Sequence, residues 1–147
     1  MTPDEEVFEV QRLYPQIYLA CHRNHVRAVS TRFRISSQDA SILVHLDRVS
    51  AVSPQQLAKH LGVSPSTLSA AIARLGKLGY LDVRTNERDR RKRELRLTKR
   101  GAQAISATSV LDQQKVLAVL NQLNAAERKQ ALDGLGLLAE AARRQRE

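Results

Sequence analysis

The densest chemistry in this chain is cationic. Between residues 84 and 100 stand nine cations, Arg84, Arg88, Arg90, Arg91, Lys92, Arg93, Arg96, Lys99 and Arg100, against three acids, Glu87, Asp89 and Glu94. Of the 24 Lys and Arg in the 147 residues, 18 are Arg, whose planar fork suits phosphates and guanine edges better than the point charge of Lys. A solvated surface can be basic without purpose, but a clustered stripe inside a net charge of +9 is the electrostatic footprint of a nucleic-acid partner.

A second group of reactive types is Cys21-His22-Arg23-Asn24-His25. On a helix, His22 and His25 at i, i+3 could hold a transition metal together with Cys21 or His45; alternatively the neighbouring cations could make Cys21 an oxidation sensor. Against both, Cys21 lies about 100° round a helix from His22, and no Cys-x2-Cys or carboxylate–His set completes a site. The plainer reading is a small buried hydrophobe on the face of Tyr14 and Ile17, with His22 and His25 as polar residues facing solvent or a second subunit. No metal or cofactor is expected. Nor is catalysis, because no acid, base and nucleophile converge elsewhere. Arg23, Arg27, Arg32 and Arg34, in a stretch without acids, fit either a DNA backbone or the acidic N-terminus of a second subunit (Asp4, Glu5, Glu6, Glu9).

These groups need a scaffold. Aromatic residues are 3% of the chain and hydrophobic residues 42%, so the core must be aliphatic and is expected to be packed helices in one domain or subunit. One cysteine excludes an internal disulfide and fits a reducing cytoplasm. No stretch approaches the roughly 20 apolar residues of a membrane span, and the acidic N-terminus does not resemble a secretory signal.

Apolar spacing predicts a long helix from Glu5 to about Thr31, kinked at Pro15 or starting near Tyr14. Ser36 to Asp39 reads as a cap opening a second helix that stops near Val49. Ser53-Pro54 starts a third, ended by Gly62, and Ser64-Pro65 a fourth, ending near Leu78-Gly79. Two short helices joined so tightly form a helix-turn-helix, with small Ala58 at the crossing and Gly62 at the turn. The period then alternates in residues 80–84 and 94–97, predicting two strands around a cationic loop at residues 85–93. Thr98 caps one continuous helix to about residue 123, roughly 35 Å long, which needs a partner surface. Asn124 opens the last helix, weakened at Gly134 and Gly136 and basic at Arg143, Arg144 and Arg146.

In a helix-turn-helix the second helix enters the major groove. That makes Ser64, Pro65, Ser66, Thr67, Ser69, Ala70 and Arg74 the candidate recognition residues, and Arg84, Arg88, Asp89, Arg90, Arg91, Lys92 and Arg93 the candidate wing. A structural helical corner is the alternative, but three helices followed at once by a strand, a cationic loop and a strand make a winged helix.

The stretch Asp89-Arg90-Arg91, then Leu95-Arg96-Leu97-Thr98-Lys99-Arg100-Gly101, resembles the wing signature of the MarR family of transcription regulators. Leu75-x3-Gly79-Tyr80-Leu81 resembles the family's recognition-helix ending. The resemblance implies a mainly α fold with a small β-hairpin: a winged helix-turn-helix domain at 35–98 and a helical dimerisation domain from 1–34 and 99–147. It implies a homodimer on double-stranded DNA at a pseudo-palindromic operator, half-sites about 10 bp apart. Arg91 would be the minor-groove arginine and Asp89 its brace. A small aromatic effector releasing a repressor from DNA is implied too. Ala70 and Ala71 stand where many relatives carry longer polar side chains. The competing readings are a metal- or redox-responsive regulator using Cys21, His22 and His25, and an architectural protein binding DNA without sequence preference.

Overall fold

The computed structural model describes residues 1–24 and 33–145. Among these the order is α1 (Pro3–Cys21), α2 (Ser37–Leu43), α3 (Pro54–Leu61), α4 (Pro65–Lys77), β1 (Leu81–Thr85), β2 (Arg93–Leu97), α5 (Lys99–Thr108), α6 (Gln113–Leu120) and α7 (Ala125–Arg144). The fold is mainly helical with one two-stranded antiparallel hairpin. The chain divides into two compact units, Met1–Arg27 with Ser109–Asp133 and Ala28–Thr108 with Gly134–Glu147. No helix among the described residues is long and apolar enough to cross a membrane.

In the larger unit, each of α2, α3 and α4 begins where a hydroxyl can satisfy free backbone donors. The Ser36 side chain accepts from Asp39 N while Asp39 accepts from Ser36 N, and Ser53 and Gln56 repeat that exchange at the start of α3. Ser64 accepts from Thr67 N ahead of α4. Pro54 and Pro65 fill first-turn positions where no backbone donor is needed. Gly62 ends α3 at φ +63°, a conformation that a Cβ would strain. α2 is shorter than its sequence suggests, because Val44 already caps it.

One core joins these pieces: Ile42, Leu43 and Leu46 from α2 and the following turn, Leu57 and Ala58, Leu68, Ile72 and Leu75, then Tyr80, Leu81, Leu95 and Ala104. The hairpin pairs Leu81 with Leu97 through Thr85 with Arg93. Val52 extends it by an isolated bridge, exchanging both backbone bonds with Leu95, so the root of the wing is sewn to the chain just before α3. The joint after β2 explains the Leu-Thr-x-x-Gly pattern. Thr98 Oγ1 donates to Gly79 O at 2.6 Å and accepts from Gly101 N at 3.0 Å. Gly101 lies so close beneath Tyr80 that a Cβ would stand 2.1 Å from the Tyr80 carbonyl oxygen. The Tyr80 hydroxyl in turn donates to Phe33 O, and the Arg100 guanidinium covers its ring at 5.2 Å.

The smaller unit corrects two expectations. The continuous helix expected from residue 98 to about 123 is broken at residues 109–112. Ser109 Oγ accepts from Leu111 N, and Asp112 caps α6 by accepting from Gln114 N and Lys115 N. The freed backbone pairs with the end of α1: Arg23 N donates to Val110 O, Asp112 N to Cys21 O, and His22 bridges Leu111. Those side-chain bonds compete with helical ones, which is why Ser and Asp punctuate helices. The first helix likewise stops at Cys21 instead of near Thr31, with His22 as an extended C-cap. It starts at Pro3 behind a Thr2–Glu5 capping box and runs through Pro15. The portion expected over residues 25–31 lies outside the described residues.

Candidate nucleic-acid interface

α4 carries Ser66, Ser69, Ala70 and Ala73 at helical spacing, all exposed, opposite the buried Leu68, Ile72 and Leu75. At its start the hydroxyls cluster: Ser64 Oγ stands 2.8 Å from Thr67 Oγ1 and 3.2 Å from Ser66 Oγ. Pro65 is exposed beside them. Ala73 was not singled out by the sequence argument, although its i+7 relation to Ser66 places it on the same face.

Arg74 differs from the other candidate recognition residues. It reaches back to α2, where Nη1 donates to Asp39 Oδ2 at 3.0 Å and Nη2 donates to Oδ1. Asp39 is 2% exposed, whereas half of the Arg74 side chain is in water. Burial opposes ionisation of Asp39, but the bonds from Arg74 and Ser36 outweigh it and hold the carboxyl below the usual aspartate range. The same contact raises Arg74 further. The pair therefore sets the position of α4 against α2, a role the sequence hid because the partners are 35 residues apart.

The wing is built around Asn86, another residue that sequence reasoning passed over. Its Oδ1 accepts from Arg88 N at 2.8 Å and Asp89 N at 3.1 Å, its Nδ2 donates to Glu94 at 2.8 Å, and its own N donates to Lys92 O. An Asx turn of this kind was signalled only by an Asn inside a charged run. Asp89 Oδ1 accepts from Arg91 N at 3.1 Å and lies 3.8 Å from Arg91 Nε. Arg84, Arg88, Arg90, Arg91, Lys92 and Arg93 are all exposed, Arg91 with 96% of its side chain in solvent. Arg84 pairs with Asp82 at 3.1 Å along the hairpin. Arg96 turns the other way, bonding Val49 O and Glu94. Two adjoining hollows that share Pro54, Gln55 and Arg93 connect Ser69 and Ala73 of α4, across the start of α3, to Arg91. The exposed face of α4 and the hairpin loop thus adjoin on one surface.

Residues 27–92, which hold this helix-turn-helix and most of the wing, match the model of the MarR family. Over this segment the chain is similar to the MarR family. Solved structures extend the likeness to the whole chain. Streptococcus pneumoniae FabT in complex with DNA is 21% identical, with 95% of this chain and 96% of that one covered and a TM-score of 0.54. The transcriptional regulator Tm0710 from Thermotoga maritima is 23% identical, covering 97% and 96%, with a TM-score of 0.55. The PcaV transcriptional regulator from Streptomyces coelicolor, in complex with its natural ligand, is 21% identical, covering 97% and 94%, with a TM-score of 0.50. At such identities the likeness is one of fold. No curated protein sequence matches the chain.

The described part of the candidate sensor group, Cys21 and His22, lies in the smaller unit. Cys21 is 2% exposed, while Tyr14 and Ile17, expected to share its buried face, are exposed. The difference arises because residues 110–112 cover the end of α1 and leave its middle bare. His22 stacks on Tyr18 with its Nδ1 2.9 Å from Leu19 O. It follows the last helical residue as an extended C-cap. His25, Arg27 and Arg32 lie outside the described residues, as does Arg146. Among the described residues no three His, Cys, Asp or Glu are grouped to hold a metal.

Proposed function

We propose that this chain is a dimeric, sequence-specific DNA-binding regulator of transcription, a repressor that a small effector releases from its operator. The observation that carries the reading is the continuous surface joining the exposed face of α4 to six exposed wing cations in a MarR-family segment. A major-groove helix beside a cationic hairpin offers a duplex both a base-reading face and phosphate or minor-groove contacts. FabT, similar in fold, was crystallised with DNA, and PcaV with its natural ligand.

Dimerisation is supported by apolar residues that this chain leaves in solvent. On α1 these include Val7, Phe8, Tyr14, Ile17 and Leu19, and on α7 Leu132, Leu135, Leu137 and Leu138. Faces this apolar are covered in stable proteins, and a two-fold partner would cover them while setting two wings on one operator. An effector has room in a hollow of about 510 Å³ between α2 and α4, lined by Ile42, Leu61, Leu68, Ala71 and Arg74. To release DNA it must favour an arrangement of α4 unlike the bound one, since equal affinity for both would shift nothing.

A gel-shift titration against the DNA upstream of its own gene, with competitor duplex, tests the proposal. Specific binding should exceed non-specific binding by roughly 10³ or more, and Arg91→Ala should weaken it by about 1–3 kcal/mol with the dimer intact. An architectural protein would show little preference among sequences.

A further inference from the structure

Asp39 is the one charged residue buried among the described residues, at 2% exposure. A carboxylate so placed must keep a cation beside it, because an ion without a partner gives up its hydration for nothing. Arg74 fills that place with both terminal nitrogens, and the carboxyl is held ionised, below the usual aspartate range. The two partners are not equally fixed. Asp39 is tied into the start of α2, accepting from Ser36 N at 2.8 Å while its own N donates to Ser36 Oγ at 3.1 Å. Arg74 reaches across from α4 with half of its side chain already in water, so it regains hydration on leaving. The guanidinium is exchangeable and the carboxylate is not.

Both members of the pair line the hollow of about 510 Å³ between α2 and α4, and they are the only charged residues among the described residues that do so. Ile42, Leu61, Leu68 and Ala71 give it an apolar wall. An anion here would have to take Arg74 from Asp39, leaving a buried carboxylate unpaired beside a second negative charge. A neutral ligand gains only the wall. A cation with a planar fork of N–H donors can do what Arg74 does: it remakes two charge-assisted bonds to Asp39, its apolar body fills the hollow, and Arg74 returns to water.

Resting on the effector reading above, we propose that the hollow between α2 and α4 is a site for amphipathic cations of the amidinium or guanidinium class, which take the place of Arg74 on Asp39. The exchange keeps the buried charge paired but unfastens α4 from α2. Thr67 and Ala70, both candidate recognition residues, line the same hollow, so an occupant stands against the face that α4 would offer a duplex. Cation and duplex are then competitors.

The test titrates the full chain at neutral pH by calorimetry with naphthamidinium, its neutral isostere naphthamide and the anion naphthoate. Naphthamidinium should bind about tenfold or more tightly than naphthamide, and naphthoate most weakly. Arg74→Ala removes the internal competitor, so naphthamidinium should bind it about tenfold more tightly than wild type and restore thermal stability that the substitution removes. In Asp39→Asn, which keeps an acceptor for Ser36 N, the preference for amidinium over amide should vanish. Naphthamide that binds wild type as tightly as naphthamidinium would overturn the proposal, whether or not Arg74→Ala folds. So would an amidinium preference that survives Asp39→Asn. In gel shifts, the naphthamidinium concentration that halves duplex binding should rise about tenfold in Asp39→Asn, each protein being measured against its own ligand-free affinity. An equal concentration in both would mean that the amidinium acts on the duplex and would overturn the competition. Failure of the chain to bind any duplex would remove the DNA-binding reading, while the calorimetry still decides the site.

Discussion

Replacing Arg74 by Ala tests the contact that holds α4 in place. The variant leaves the Asp39 carboxylate, whose side chain is 4% exposed, with Ser36, its N–H at 2.8 Å, as the remaining partner. Breaking a buried ion pair from one side costs roughly 3–5 kcal/mol; the retained donor and the carboxylate's ability to protonate put Arg74→Ala near the lower end, about 3 kcal/mol. Asp39→Ala should cost less, about 2 kcal/mol, because the half-exposed Arg74 regains water and the loss is mainly of the cap and the charge-assisted bonds. The pH dependence carries a sign. In the wild type the folded-state pKa of Asp39 is depressed, so its contribution is fully present above the unfolded-state value of about 3.9 and is lost as pH falls through the folded value. Without Arg74, burial raises that pKa. The penalty then exists above the raised value and is relieved as the carboxyl protonates on acidification. Urea unfolding followed by far-UV circular dichroism, at fixed protein concentration and at neutral and mildly acidic pH, measures both effects. A loss below about 1 kcal/mol at neutral pH, or a gap to wild type that does not narrow on acidification, would refute the idea that Arg74 holds a buried carboxylate.

Gly101→Ala drives a Cβ to 2.1 Å from Tyr80 O and 2.6 Å from Leu97 Cδ1, so the backbone at the root of the wing must shift. The expected cost is about 3 kcal/mol, seen as a fall in Tm of roughly 10 °C or more, and a fall of only a degree or two would contradict the geometry. Asn86→Ala frees the N–H groups of Arg88 and Asp89 and should weaken DNA binding about tenfold while unfolding shifts by about 1 kcal/mol; equal affinity would mean that the wing keeps its shape without this turn. If the proposed dimer forms, Phe8→Glu on the bare apolar face of α1 should turn it into monomer in sedimentation at micromolar concentration, and an unaltered dimer would relocate the interface.

Much of the winged helix was legible in order of residues because its signals are short-ranged. Ser36 and Asp39, Ser53 and Gln56, Pro54 and Pro65 act within one helical turn, and Gly62 acts at its own φ. Alternation in residues 80–84 and 94–97 needs only the two-residue repeat of a strand, and the strands form at Leu81–Thr85 and Arg93–Leu97. The cationic wing was legible as well, since charge on a turn between strands must face water. Periodicity could not disclose the break at residues 109–112. Apolar residues continue through it at helical spacing, and what stops the helix is a backbone exchange with residues 21–23, nearly ninety residues earlier.

Within residues 36–108 the sequence by itself determined which segments become helix or strand, where their caps fall and that a run of arginine projects from a hairpin, because those outcomes depend on neighbours within a few residues. Tertiary structure alone decided what each polar side chain is free to do. Arg74 reads as a groove-facing cation until α2 is packed beside α4 and Asp39 captures it. Cys21 reads as sharing a face with Tyr14 and Ile17 until residues 110–112 cover it and leave them bare. In both cases the partner comes from a distant part of the chain, and a charge or a thiol has no fixed role until that partner determines whether it meets water, a counter-charge or a groove.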